Sequence, residues 1–217
     1  MKIDTKLRFY LVLMTIHTSL LIASNAAGAK IFALPYGLAA SATVISYMLT
    51  FVILDTIAEL YGRSGSRFVI IIGLASMAIS VVFFQIAIVL PPAPFWGNQA
   101  GFEGTLGSSW RILLGGWTSY IFSQFLDLWS FLGLKNTRWG SSVSFRAWIS
   151  MVVGQFFDTL IFMTIAFYGA IPLTSAISGQ YLVKVVFATI ATPLVPTLVI
   201  LGRKLAEEGK FGVTDAA

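Results

Sequence analysis

Long apolar stretches alternate along this chain with short polar breaks, and the length of the stretches decides what they are. Apolar runs lie near residues 9–29, 38–61, 68–90, 112–134, 147–169 and 180–201. Each is close to the roughly 20 residues that a helix needs to cross a bilayer. The breaks carry turn chemistry: Pro35 with Gly37, GRSGS at 62–66, the prolines at 91, 92 and 94, NTRWGSS at 136–142, and Gly169 with Pro172. The pattern predicts an all-α membrane protein with six spans in one bundle, a single domain over 1–217 with no linker. Pro193 and Pro196 remove backbone donors inside the last run, so a kink is expected there. The longest connection, from Pro91 to Trp110, reads as an irregular outer loop. It serves either as a lid or as an anchor, with Trp96, Phe102 and Trp110 seated at the interface.

Composition agrees with the pattern. The chain is 57% hydrophobic and 11% charged, with mean hydropathy +0.86, whereas soluble domains carry about 25% charged residues. Six crossings use up nearly all of its 217 residues, so function has to be built inside the bundle. Cysteine is absent, which excludes disulfides, thiolate metal sites and a cysteine nucleophile. With a single histidine as well, neither a metal nor another cofactor is expected.

The net charge of +5 reads as topology and calls for no nucleic acid. With the N-terminus in the cytoplasm, Lys2, Lys6, Arg8, Arg63, Arg67, Lys135, Arg138, Arg146, Arg203, Lys204 and Lys210 fall inside, and Lys30, Arg111 and Lys184 outside, 11 of the 14 basic residues on one side. An odd number of spans would throw the C-terminal cluster out. Both termini are therefore expected in the cytoplasm. The first run, with Ala27-Gly28-Ala29 behind it, imitates a secretory signal. Asn25 and the span-length apolar stretch suit a first membrane helix better.

Polar residues inside the runs are the candidate chemistry. SQFLDLWSF at 123–131 returns 31 residues later as GQFFDTLIF at 154–162, so a glutamine and an aspartate three apart occur twice. An ionisable group at mid-membrane costs about 2.5–3.5 kcal/mol on insertion scales. The two copies run antiparallel, and a rise of about 1.5 Å per residue sets Gln124 level with Asp158 and Asp127 level with Gln155. Such pairs can simply hold two helices together, but amides alone would do that without the cost of a carboxylate. Planar amides and carboxylates suit a planar ligand with fixed donors and acceptors, and Trp129, Phe125, Phe156, Phe157 and Phe162 are near enough in sequence to stack on it.

Asp55, Glu59 and Arg63 are spaced by four and form one helical stripe, in which Glu59 and Arg63 are either an interfacial ion pair or part of the function. Asp55 lies deeper. Asn25 and Lys30, in SNAAGAK, stand at the outer end of the first span as an entrance, and Trp129 as a gate or supporting group. His17 and Gln85 read as interhelical hydrogen-bonding residues.

At this point the chain resembles a known family. SNAAGAKI at 24–31, DTIAELYGR at 55–63, SQFLDLWSF at 123–131 and GQFFDTLIF at 154–162, in that order and spacing, are similar to the queuosine precursor transporters (YhhQ type, VUT family). The resemblance covers essentially all six spans. It implies import of 7-cyano-7-deazaguanine or a related 7-deazaguanine across a bacterial inner membrane, for queuosine synthesis in tRNA. It also implies a compact six-helix fold like the substrate-binding subunits of energy-coupling-factor importers, working without an ATPase. It strengthens Asn25, Asp55, Gln124, Asp127, Gln155 and Asp158 as substrate-binding candidates.

From the residues alone the reading is a transporter of a small polar, planar solute. A binding subunit of an ATP-driven vitamin importer, a carrier of another purine-like or pterin-like base, and a channel are the alternatives. An enzyme is not expected, because the aspartates stand in FLD and FFD, not in the YD and GxGD contexts of intramembrane aspartyl proteases. Proton coupling and oligomeric state, a homo-oligomer included, stay open.

Overall fold

The computed structural model describes residues 4–27, 30–33, 39–107, 110–138, 140–169 and 173–208. The apolar runs become helices, because a chain in lipid must satisfy its backbone polar groups within its own segment. Helix α1 spans Thr5–Ala27 and is followed by a two-stranded ribbon, β1 (Ile31–Ala33) against β2 (Ala39–Ser41), antiparallel with Phe32 opposite Ala40. Then come α2 (Thr43–Val89), α3 (Gln99–Leu106), α4 (Trp110–Leu134), α5 (Val143–Phe167), α6 (Leu173–Ala191) and α7 (Leu194–Glu208). Four helical stretches among the described residues are long and apolar enough to cross a membrane: Thr5–Ala27, Thr43–Val89, Val143–Phe167 and Ala176–Glu207. The protein is a multi-pass membrane bundle.

Several boundaries move. The second run was expected from residue 38, but Ala39–Ser41 pair as a strand and the helix begins at Thr43. The outer loop is not irregular throughout, since α3 forms within it, with the Trp96 and Phe102 rings edge to face at 5.8 Å. The expected kink in the last run is a two-residue turn: α6 stops at Ala191, Thr192 and Pro193 turn, and α7 starts at Leu194. Ser142 caps α5 by accepting from the Phe145 amide at 3.2 Å.

The GRSGS stretch is not a loop. Only Gly62 leaves helical geometry, at φ 72° and ψ −170°, a region essentially restricted to glycine. That one residue reverses the chain. In an unbroken helix Thr50 and Ile70 would stand about 30 Å apart. Here the His17 ring donates from Nδ1 to the Thr50 carbonyl at 3.2 Å, while the Tyr120 hydroxyl lies 3.2 Å from both His17 Nε2 and the Ile70 carbonyl. The two limbs of α2 must therefore lie side by side. The reversal also breaks the expected stripe from Asp55 to Arg63.

The start of α1 is fastened to this elbow: Tyr10 donates to the Gly65 carbonyl at 2.9 Å and Tyr61 to the Lys6 carbonyl at 2.8 Å. Apolar side chains such as Ile71, Ile79, Phe83 and Ile190 face outward, as a lipid-solvated surface requires. The polar residues are turned inward: Asp55, Gln124, Asp127, Arg146, Gln155, Asp158 and Lys184 are all buried.

Candidate functional site

Three helices come together because one residue between them is small. A β-carbon added at Gly154 would stand 3.3 Å from Asp127 Cβ, 3.4 Å from the Ser123 carbonyl oxygen and 3.5 Å from Phe51 Cε1. Gly154 thus lets α4 and the first limb of α2 close onto α5. Their polar side chains then form levels, about one helical turn (~5.4 Å) apart.

Farthest from the Gly62 elbow is Asp158. One carboxylate oxygen accepts from the Tyr47 hydroxyl at 2.8 Å and from the Ser123 hydroxyl at 3.3 Å, and the other from the Lys184 ammonium. Lys184 also sits 5.6 Å from the centre of the Tyr47 ring. The ion pair is buried on both sides, so its charges cancel where water does not screen them.

Next come the glutamines. Gln124 Nε2 donates to the Thr50 hydroxyl at 3.2 Å, and that hydroxyl donates to the Tyr47 carbonyl at 2.6 Å. Gln124 Oε1 has no partner, and Gln155 has none at either amide atom. Below them, Asp55 and Asp127 turn their carboxyl groups toward each other beside Ser150. None of their four carboxyl oxygens has a well-formed hydrogen bond, because the Ser150 hydroxyl beside them donates to the Ala147 carbonyl at 3.1 Å. Native proteins leave few buried polar atoms without partners, so this concentration in one place is the signature of a site that something else completes.

At the elbow end, Glu59 gathers three cations: Arg146 Nη2 at 2.8 Å, Lys135 at 3.6 Å and Arg203 at 3.6 Å. It binds α4, α5 and α7 to α2. Arg146 is buried, stacks 4.5 Å above the Phe131 ring, and leaves Nε and Nη1 unpaired.

The two copies of the repeat meet, offset from the expected levels. Ser123, next to Gln124, meets Asp158, and Gly154, next to Gln155, meets Asp127. The pairing across them differs: Asp158 takes Lys184, Tyr47 and Ser123 in place of Gln124, and Asp127 turns to Asp55 in place of Gln155. Glu59 pairs with Arg146, Lys135 and Arg203, not with Arg63. Asn25 stands apart, two turns (about 12 Å) beyond His17 on α1, partly buried and with Nδ2 unpaired. Trp129 is 57% exposed and faces lipid, so it neither gates nor stacks in the interior, and Lys30 is exposed. Phe51 and Tyr47 are the aromatic rings at the site. Gln85 is exposed on the second limb of α2. Lys184, assigned outside by the charge count, is inside the bundle.

Sequence reasoning passed over Lys184, Arg146, Tyr47 and Thr50. Lys184 had a signal, a lone cation within the apolar YLVKVVF. Arg146 and Tyr47 had none, because each is ordinary at a helix end.

Comparison with known proteins bears on what this interior serves. The family described as putative vitamin uptake transporter matches residues 41–198, a stretch that takes in every interior residue above except those on α1 and Arg203. Over 162 residues the chain is 27% identical to the probable queuosine precursor transporter of Bacillus subtilis (strain 168), covering 73% of this chain and 71% of that protein. No solved structure matches. With well over half its length within the match, the chain belongs to the putative vitamin uptake transporter family.

Proposed function

We propose that this protein carries a 7-deazaguanine-type queuosine precursor, 7-cyano-7-deazaguanine first among them, inward across a bacterial inner membrane. It does so through six crossings, with both termini cytoplasmic and no ATPase. The relative's name supports the substrate class. The observation that carries the reading is the set of unpartnered planar groups, the Gln155 amide, Gln124 Oε1 and the Asp127 carboxyl, on the two helices, α4 and α5, that close at Gly154.

A guanine-type edge offers parallel N–H donors beside a carbonyl. The Asp127 carboxylate accepts the donors, and the Gln155 and Gln124 amides match what remains. Phe51 and Tyr47 supply ring faces for the base. Asp158 is already neutralised by Lys184, which suits an uncharged ligand: a charged one would upset a balanced interior. Asp55 supports Asp127, and Asn25 and Lys30 lie toward the outer mouth.

The even number of crossings draws support from the shared end of the bundle. The start of α1, the Gly62 elbow, the end of α4 at Lys135, the start of α5 at Arg146 and Arg203 on α7 all meet there. That is also the positively charged side.

Liposomes containing only this protein test the reading. Labelled 7-deazaguanines should enter them, and guanine analogues lacking the 2-amino group should enter poorly. Failure of every deazapurine to enter, with entry restored by an added ATPase complex, would overturn the self-sufficient carrier.

A further inference from the structure

The carboxyl groups of Asp55 and Asp127 are buried within interaction reach of each other and of Ser150, whose hydroxyl is spent on the Ala147 carbonyl at 3.1 Å. Two full negative charges this close, away from water, are strongly unfavourable, whereas one proton between two carboxyl groups makes a strong hydrogen bond. A second, independent feature points the same way. Arg146 lies one turn before Ser150 on α5, 1% exposed, with Nε and Nη1 unpaired and only Nη2 committed, to Glu59. Asp55 and Glu59 are one turn apart on the same face of α2, so one guanidinium can serve either.

We propose that Asp55 and Asp127 form a proton-binding site, and that Arg146 transmits its charge state to the Glu59 clamp at the elbow end. With one proton between the carboxyl groups, Arg146 is held by Glu59, and α2, α4, α5 and α7 are drawn together. When the proton leaves, the pair carries a second negative charge, and the free donors of Arg146 turn toward Asp55. The hold on Glu59 then weakens and the elbow end loosens. The other cations nearby face other carboxylates: Lys184 pairs with Asp158, and the exposed Lys135 and Arg203 stand 3.6 Å from Glu59. His17 is engaged by the Thr50 carbonyl and Tyr120. Of these cations, among the described residues, Arg146 is the one with buried nitrogen atoms left without a partner. This rests on the transport reading for its purpose: a carrier loading proton and solute together would release both toward a less acidic compartment.

The purified protein tests it without any substrate. Infrared difference spectra across a pH step should contain the carbonyl stretch of a buried, protonated carboxylic acid in the wild type. Asp127→Asn and Asp55→Asn should each remove it, and Glu103→Gln, on exposed α3, should leave it. Absence of the band from the wild type near neutral pH overturns the shared proton, whatever the variants do.

For the second step, a cysteine is placed at Ala147, which is buried next to Arg146. Its labelling rate is compared with that of the same cysteine in the Asp127→Asn background, so that ordinary thiolate chemistry cancels. The ratio should rise by about threefold or more from about pH 6 to pH 8. A flat ratio overturns the hand-over by Arg146. A band and a rising ratio in a protein that moves no deazapurine would leave this inference standing and fail the substrate reading alone.

Discussion

Asp158 on α5 and Lys184 on α6 neutralise each other inside the bundle, with the Tyr47 and Ser123 hydroxyls completing the carboxylate's coordination. The pair changes what a substitution there should do. Asp158→Asn removes one charge and strands the other, and breaking a buried pair from one side costs about 3–5 kcal/mol. We expect a large loss of thermal stability in Asp158→Asn and in Lys184→Met, and recovery of most of it in the double variant. Unfolding of the three proteins in detergent measures this. A double variant no more stable than the singles would show that the two charges do not act as a pair.

Gln155 gives the opposite expectation. It is fully buried and neither amide atom is hydrogen-bonded, so the fold gains nothing from it, and an apolar side chain of similar volume should be neutral or stabilising. Gln155→Leu should unfold no earlier than the wild type, yet bind a 7-deazaguanine about tenfold more weakly or worse, by equilibrium binding of a labelled base. Early unfolding with unchanged binding would assign the amide to structure.

How much of this was legible beforehand depended on which quantity set the answer. Bilayer thickness sets the length of a span and helical rise sets approximate depth, so the runs and the meeting of the two glutamine–aspartate copies could be read directly. Lateral partners could not, because they depend on how helices are rotated and packed. Lys184 shows the difference. It lies near the start of the run at 180–201 but well inside α6, which begins at Leu173, and the polar residues of Ser178–Gln180 disguised that first part of the helix. The 62–66 stretch misled for a related reason: its serines and glycines suggest a loop, while all but Gly62 keep helical geometry.

Topology can be read by labelling, since the native chain contains no cysteine. A cysteine at Asn98, ahead of α3, should react with an impermeant reagent on intact cells. One at Ser141, beside the cap of α5, should react only after lysis. The reverse pattern would invert the protein in the membrane.

Packing between α1, α2 and α4 converges on Gly73, where an added β-carbon would stand 2.4 Å from the Tyr120 hydroxyl and 2.8 Å from Leu21 Cδ1. Leu21 can rotate aside, but the Tyr120 hydroxyl lies within hydrogen-bond reach of His17 and the Ile70 carbonyl and has little freedom. Gly73→Ala should therefore destabilise by about 1–3 kcal/mol. Thermal unfolding checks it, and Gly73→Ala combined with Tyr120→Phe should recover part of the loss. No recovery would mean that the clash lies elsewhere.

The one-residue reversal at Gly62 gives the bundle a pivot. A connection of ordinary length would let two neighbouring helices slide and splay independently at both ends. Here the two limbs are pinned at one end, with Tyr10 and Tyr61 riveting α1 to the same point. Three rods fixed at one tip can part only like the blades of shears, with small displacements near the pivot and large ones at the far end, where the β1–β2 ribbon follows α1. Helices α5 and α7 join that same end through Glu59, by side-chain ion pairs and not by the chain itself, so theirs is a joint that can be released while the Gly62 pivot cannot.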